Sequence, residues 1–296
     1  MSLAYKIVEN CCFAVNKLTN GGIKKQMHSF IAKKEQNDSL PWLLKKCFLV
    51  KEVQYMGFPV YIMRTKNKQK RTKKAVLFLA GGGGMARPMG LHFDAVARLA
   101  HNTGATVYFA YYPLAPKYNV TYALTWLEKV YAAMCKRFWS EQIIFVGDSA
   151  GANLALSLTD RVENKPGQLI VISPAVGLEN GHDRDVRLKM EKKDPILTVE
   201  MNDMIAQNWS KNVPLNNPDI NPEYINYGNF PPMLMFYGSH ELFYPHVKRY
   251  VEKIKKSGGN VEIVEEPMCH DWALCSFLPE GYGAIKKMEQ VIKNIE

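Results

Sequence analysis

From Ala75 onward the chain alternates short, unbroken apolar runs with longer stretches of helical periodicity. The runs are AVLFLA (75–80), ATVYFA (105–110), QIIFVG (142–147), QLIVIS (168–173), PMLMFYG (232–238) and NVEIVEE (260–266). Short continuous apolar runs suit strands buried on both faces. Between and after them lie helix patterns: LHFDAVARLAHNTG, ending near Gly104, then residues 120–138, 150–162, 245–259 and 281–295. This alternation predicts a mostly parallel sheet with helices on both faces, an α/β fold. Such sheets carry their sites at the carboxyl ends of the strands.

The flanking segments read differently. Residues 1 to about 45 look helical and amphipathic, with breaks at Gly21-Gly22 and Pro41. Two extended stretches, around Cys47–Gln54 and Phe58–Met63, meet near Gly57. After residue 173 comes a polar, irregular span of about fifty residues with one helix near Val199–Trp209. No internal repeat or low-complexity linker divides the 296 residues, so one domain over 1–296 is expected.

Composition narrows the partners. No apolar run approaches the roughly 20 residues needed to span a bilayer. The amino terminus lacks a basic start followed by a clean apolar core, so no secretory signal and no stable membrane anchor is expected. The six cysteines form no CxxC pair, which fits reduced thiols and a cytoplasmic location. The net charge is +10, and RTKNKQKRTKK (64–74) holds seven of the 38 Lys and Arg residues with no acid. A solvated loop is the reading preferred over contact with an acidic surface. No aromatic residue interleaves the run, which speaks against nucleic acid as a partner.

The chemistry centres on FVGDSAGANLAL (145–156). Gly147-Asp148-Ser149-Ala150-Gly151 fits G-x-S-x-G, a tight strand-to-helix corner that exposes a serine oxygen. The bare string is weak: three fixed positions at roughly 7% usage match by chance in about one chain in ten of this length. A strand before it, a helix after it and a parallel-sheet context make it specific. Gly147 and Gly151 allow strand and helix to approach closely, and the helix N-terminus behind Ser149 supplies unpaired N–H groups.

FLAGGGGMARP follows the first buried strand. Gly82 and Gly83, together with Ala150, are candidate N–H donors for an oxyanion formed when Ser149 attacks a carbonyl. A phosphate loop would require Lys-Ser or Lys-Thr after the glycines, and neither is present. The chain order in this architecture is serine, acid, histidine. Of seven histidines, His28, His92 and His101 precede Ser149, and His182 falls in the irregular span. His240 and His246 follow the 232–238 run, whereas His270 lies in the loop after the final strand, where the general base belongs. Glu241 in FYGSHELFYP is the candidate acid, with Asp219 as its main rival. Asp271 adjoins His270 and is badly placed to orient that ring.

Together these stretches resemble the α/β-hydrolase superfamily and, more narrowly, the hormone-sensitive-lipase-like carboxylesterases, the bacterial family IV esterases. AGGGG stands at the place of the family's His-Gly-Gly-Gly, and YYPLAPKYNVTYAL (111–124) is similar to its Tyr-x-Leu-Ala-Pro-Glu segment. GDSAGANLAL is similar to its elbow, KDPILTVEMNDMIAQNW (193–209) to its cap helix, and YGSHELF and CHDW to its acid and histidine loops. The likeness covers roughly residues 50–296. It implies an α/β-hydrolase fold with cap segments at about 1–45 and 178–229, and a serine carboxylesterase acting on small, short-acyl esters without cofactor or metal. It leaves open an amidase or peptidase using the same triad, a ligand-binding protein that has lost catalysis, and assembly as a homodimer. Four positions depart from the pattern. Ala80 replaces the histidine that braces the glycine loop, Gly84 a usual aromatic, Lys117 the Glu of the Ala-Pro-Glu segment, and Glu241 the commoner Asp. Met85, Trp209 and Trp272 are apolar candidates to refill the wall opened at Gly84.

Overall fold

The computed structural model describes residues 1–33, 39–177 and 184–295. It opens with helices α1 (Leu3–Leu18), α2 (Gly22–Ile31) and α3 (Trp42–Cys47). Strands β1 (Phe48–Tyr55) and β2 (Phe58–Thr65) form an antiparallel hairpin whose turn residues Met56 and Gly57 both have positive φ, as a two-residue turn between twisted strands requires. The alternating portion follows as β3 (Ala75–Leu79), α4 (Gly90–Thr103), β4 (Thr106–Ala110), α5 (Val120–Cys135), β5 (Ile143–Asp148), α6 (Ser149–Arg161) and β6 (Gln168–Ile172). Helices α7 (Arg184–Glu191) and α8 (Val199–Ser210) precede β7 (Met233–Gly238), α9 (Tyr244–Lys256), β8 (Val261–Glu266) and α10 (Pro279–Asn294).

The eight strands form one sheet in the order β1-β2-β4-β3-β5-β6-β7-β8. The pairs β1/β2 and β2/β4 are antiparallel, and the remaining pairs are parallel. Successive side chains of the central strands feed opposite layers. Ala75, Leu77 and Leu79 pack with residues of α5, α6, α8 and α9, whereas Val76 and Phe78 pack with residues of α4 and α10. This double burial explains why the runs lack polar alternation.

Helix α7 is absent from the sequence expectation, which treats that part of the span as irregular. Its sequence RDVRLKME is rich in charge and buries only Arg187 and Met190, so it carries no apolar stripe to read. Arg187 Nη1 instead pairs with Asp203 Oδ1 on α8 at 3.0 Å. The basic run 64–74 leaves β2 and returns at the start of β3, the amino-terminal edge of the parallel strands. There Arg71 Nε donates to Thr65 O at 3.0 Å and Thr72 N to Gly104 O at 3.1 Å. Among the described residues, no helix is long and apolar enough to cross a membrane.

Candidate active site

Strand β5 ends at Asp148 and α6 begins at Ser149, which holds φ at 50°, the left-handed region a non-glycine residue enters only under constraint. The constraint is packing on both sides. A Cβ at Gly147 would strike the carbonyl of Gly151, and a Cβ at Gly151 would strike the carbonyl of Leu79. Ser149 therefore sits at the tip of the corner, 8% exposed.

A cavity of about 110 Å³ lies above it, lined by Ser149, Gly82, Gly83, His270 and Asp271 among others. Gly82 and Gly83 have φ of 115° and 64°, which turn the backbone back on itself, and Gly82 O accepts from both Met85 N and Ala86 N at 3.0 Å. Ala150 follows Ser149 in the first turn of α6, where N–H groups lack intrahelical partners.

His270 lies after β8 and Glu241 after β7, and His270 Nδ1 meets Glu241 Oε2 at 3.0 Å. Glu241 is fully buried, and its Oε1 accepts from Gly238 N at 3.2 Å. The rival Asp219 is engaged elsewhere, with Arg161 Nε at 3.0 Å and Thr121 Oγ1 at 2.9 Å. His240 pairs with Glu9 through Nδ1 at 2.7 Å, and His246 packs against Gly177. His182 and the first residues of the expected second cap segment lie outside the described residues.

Asp271 takes an unexpected position. It faces the other ring nitrogen, with Oδ2 3.4 Å from His270 Nε2, and holds φ at 58°. Burial opposes charge on His270, but the carboxylates of Asp271, Glu241 and Asp194 outweigh it and raise the imidazole above its ordinary value. Burial also raises Asp271, against the pull of His270. The negative charge around His270 thus favours its protonated form.

A second buried pair braces the glycine loop. His92 of α4 reaches Asp148 Oδ2 through Nε2 at 2.9 Å, and the same oxygen accepts from Gly81 N at 3.0 Å. His92 Nδ1 accepts from Met89 N at 2.8 Å, and Tyr112 donates its hydroxyl to Ala80 O at 2.7 Å. Burial works against a charged His92, but Asp148 raises it overall. The loop that lacks a histidine at position 80 is therefore tied down from α4. Sequence reasoning missed this pairing, and nothing local to either residue announces it.

Two further buried residues hold the segments around the cavity without lining it: Asp194, which sequence reasoning missed, and Trp209, which it named as a candidate to fill the space at Gly84. Asp194 is fully buried; its Oδ1 accepts from Ile196 N and Leu197 N at 2.8 and 2.9 Å, and its Oδ2 from Leu242 N at 2.8 Å. It ties the segment before α8 to the loop carrying Glu241. At Gly84 a Cβ would enter the ring of Trp209, so that indole fills the space of the missing aromatic. Met85, Trp209 and Trp272 are all buried, but none of the three lines this cavity. Among the described residues, no three His, Cys, Asp or Glu side chains are grouped to hold a metal ion.

A family model described as alpha/beta hydrolase fold matches residues 76–274. The chain belongs to that family. Among curated relatives of this α/β hydrolase, an esterase of Acinetobacter venetianus is 28% identical over 199 residues, 65% of each chain. Esterase LipU of Mycobacterium tuberculosis is 27% identical over 233 residues, 75% of this chain and 78% of that one. The chain thus spans slightly less than two thirds of the Acinetobacter protein. A solved esterase of the bacterial hormone-sensitive lipase family superposes with a TM-score of 0.78 at 20% identity, covering 93% of this chain and 97% of the other. The hormone-sensitive-lipase homologue EstE7 from a metagenome library gives 0.77 at 20% identity, covering 97% and 96%. The resemblance read from the motifs and the mostly parallel α/β-hydrolase fold agree with these matches.

Proposed function

We propose that this α/β hydrolase is a serine carboxylesterase that cleaves small, short-acyl esters through Ser149, His270 and Glu241. The observation that carries the reading is convergence. Ser149 at its constrained corner and the Glu241-bound imidazole of His270 open onto one cavity with Gly82 and Gly83. The curated relatives named esterase support the same class.

In this mechanism Ser149 Oγ attacks the acyl carbonyl carbon while His270 Nε2 takes its proton. Glu241 holds Nδ1 and stabilises the imidazolium. The N–H groups of Gly82, Gly83 and Ala150 receive the negative oxygen. Collapse breaks the ester C–O bond, and His270 returns the proton to the departing alkoxide. Water then repeats the sequence on the acyl-enzyme. Asp271 must leave the Nε2 side as Ser149 engages it.

The acyl pocket is small. Its roughly 110 Å³ is below the ~150 Å³ of an apolar cavity that accepts benzene. Residues of α2 and of the 178–229 segment, including Met27, Ile31, Leu197 and Ile205, close it. These segments act as caps over the carboxyl ends of the strands. Each methylene gains about 0.8 kcal/mol only where it can be buried, so kcat/KM should peak between about two and six acyl carbons. A p-nitrophenyl ester series from acetate to palmitate tests this, alongside fluorophosphonate labelling of wild type and Ser149→Ala. Absence of labelling at Ser149 would remove the esterase reading, and a maximum at ten carbons or beyond would make the protein a lipase.

A further inference from the structure

Helix α8 turns one stripe towards the cavity: Met201, Asn202 and Ile205, preceded by its cap residue Thr198, all line it. Spacings of three and four place these residues on one helical face. Most of the remaining wall is apolar, including Met27, Ile31, Ile196, Leu242 and Phe243. Thr198 is already engaged, since its Oγ1 accepts from Met201 N at 3.0 Å. Asn202 is different. It is 2% exposed, and neither its Oδ1 nor its Nδ2 has a hydrogen-bond partner among the described residues.

A buried amide with both ends unpaired is costly, and leucine would finish this wall without that cost. An asparagine repays its place when something entering the cavity pairs with it. The entrant must offer both a donor and an acceptor, because the amide presents one of each. It must be uncharged, because among the described residues no Lys or Arg lines the cavity and an unpaired charge is not buried there. It must also be small. A hydroxyl meets all three conditions, donating to Oδ1 and accepting from Nδ2.

We infer that Asn202 is a specificity-determining residue that selects esters carrying a neutral hydroxyl on a short chain over their hydrocarbon counterparts. The inference rests on the esterase reading of the same cavity. A site that hydrogen-bonds a substrate hydroxyl rejects the analogue lacking it, because the amide is then left unpaired in the complex. Replacing Asn202 by leucine keeps the branched four-atom skeleton, removes the amide and reverses the preference.

Two pairs of isosteric esters test this, each exchanging a hydroxyl for a methyl group. The acyl-side pair is p-nitrophenyl 3-hydroxybutanoate and p-nitrophenyl 3-methylbutanoate. The alcohol-side pair is 2-hydroxypropyl butanoate and isobutyl butanoate. For one pair, wild-type kcat/KM should favour the hydroxyl member by about tenfold after correction for alkaline hydrolysis rates, and Asn202→Leu should favour the methyl member. The wild-type ratio needs no variant and decides even if Asn202→Leu does not fold. If neither pair shows a hydroxyl preference, or if Asn202→Leu leaves the ratio unchanged, the inference is overturned. p-Nitrophenyl acetate and fluorophosphonate labelling separate the two layers: turnover and labelling without hydroxyl preference sink only the role of Asn202, whereas loss of both in wild type sinks the esterase reading with it.

Discussion

At the scale of single residues, the ring of His270 lies between two carboxyl groups with opposite consequences. In the proposed mechanism Glu241 on Nδ1 orients the base, whereas Asp271 on Nε2 stabilises the protonated form, which could not accept a proton from Ser149. Because the surrounding carboxylates raise His270, kcat/KM should climb with pH as the imidazolium loses its proton. Asp271→Asn removes one negative charge, so the acidic limb should move to lower pH, and a pH profile of both proteins reads this directly. An unmoved limb would mean that Asp271 does not set the state of the base. Ser149→Ala and His270→Ala should each lower kcat by on the order of 10⁵-fold or more, with the double variant no worse than either, because the residues act as a unit. Glu241→Gln should cost less. These three candidates were named from strand ends and the order serine, acid, histidine, and the structure brings His270 and Glu241 into contact and sets Ser149 and His270 on one cavity. The placement of Asp271 against Nε2 was not legible. It depends on a positive φ at a loop residue, which sequence spacing does not convey.

At the scale of elements, the glycine loop depends on the helix that follows it and on the far-removed end of β5. His92 on α4 holds Asp148, and Asp148 holds Gly81 N, so a change in α4 should be felt where the oxyanion forms. His92→Phe should lower kcat by on the order of tenfold or more while KM for a small ester stays nearly constant, because only a transition-state interaction is displaced. Equal loss in kcat and gain in KM would point to a general loosening of the site. The loop and α8 are matched in the same way. Gly84 has φ of 65°, and any Cβ there collides with Trp209, so Gly84→Ala should destabilise the fold by about 1–3 kcal/mol in denaturant unfolding. Strands β3 to β7 were readable because burial on both faces makes them apolar throughout. Helix α7 was not, since an Arg187–Asp203 pair rather than an apolar stripe helps to hold it to α8.

At the scale of the whole molecule, the chain separates charge from chemistry. The lysines of the 64–74 run lie before β3, and Ser149, Gly82 and Gly83 lie beyond the far ends of β5 and β3. Five residues of β3 at about 3.3 Å each put some 16 Å of sheet between these ends. That is about two Debye lengths at physiological salt, so solvated charges at one end are largely screened from the other. Arg71 is a special case, because its Nε donates to Thr65 O and holds the loop's shape. Lys66, Lys68, Lys70 and Lys73 can be replaced by glutamine with Arg71 kept. The fourfold variant should keep wild-type kcat and KM on p-nitrophenyl butanoate at 150 mM salt, with a melting temperature within a few degrees of wild type. A severalfold drop in kcat at unchanged stability would show that the basic end communicates with Ser149 through the sheet, and the two ends would then have to be treated as one functional unit.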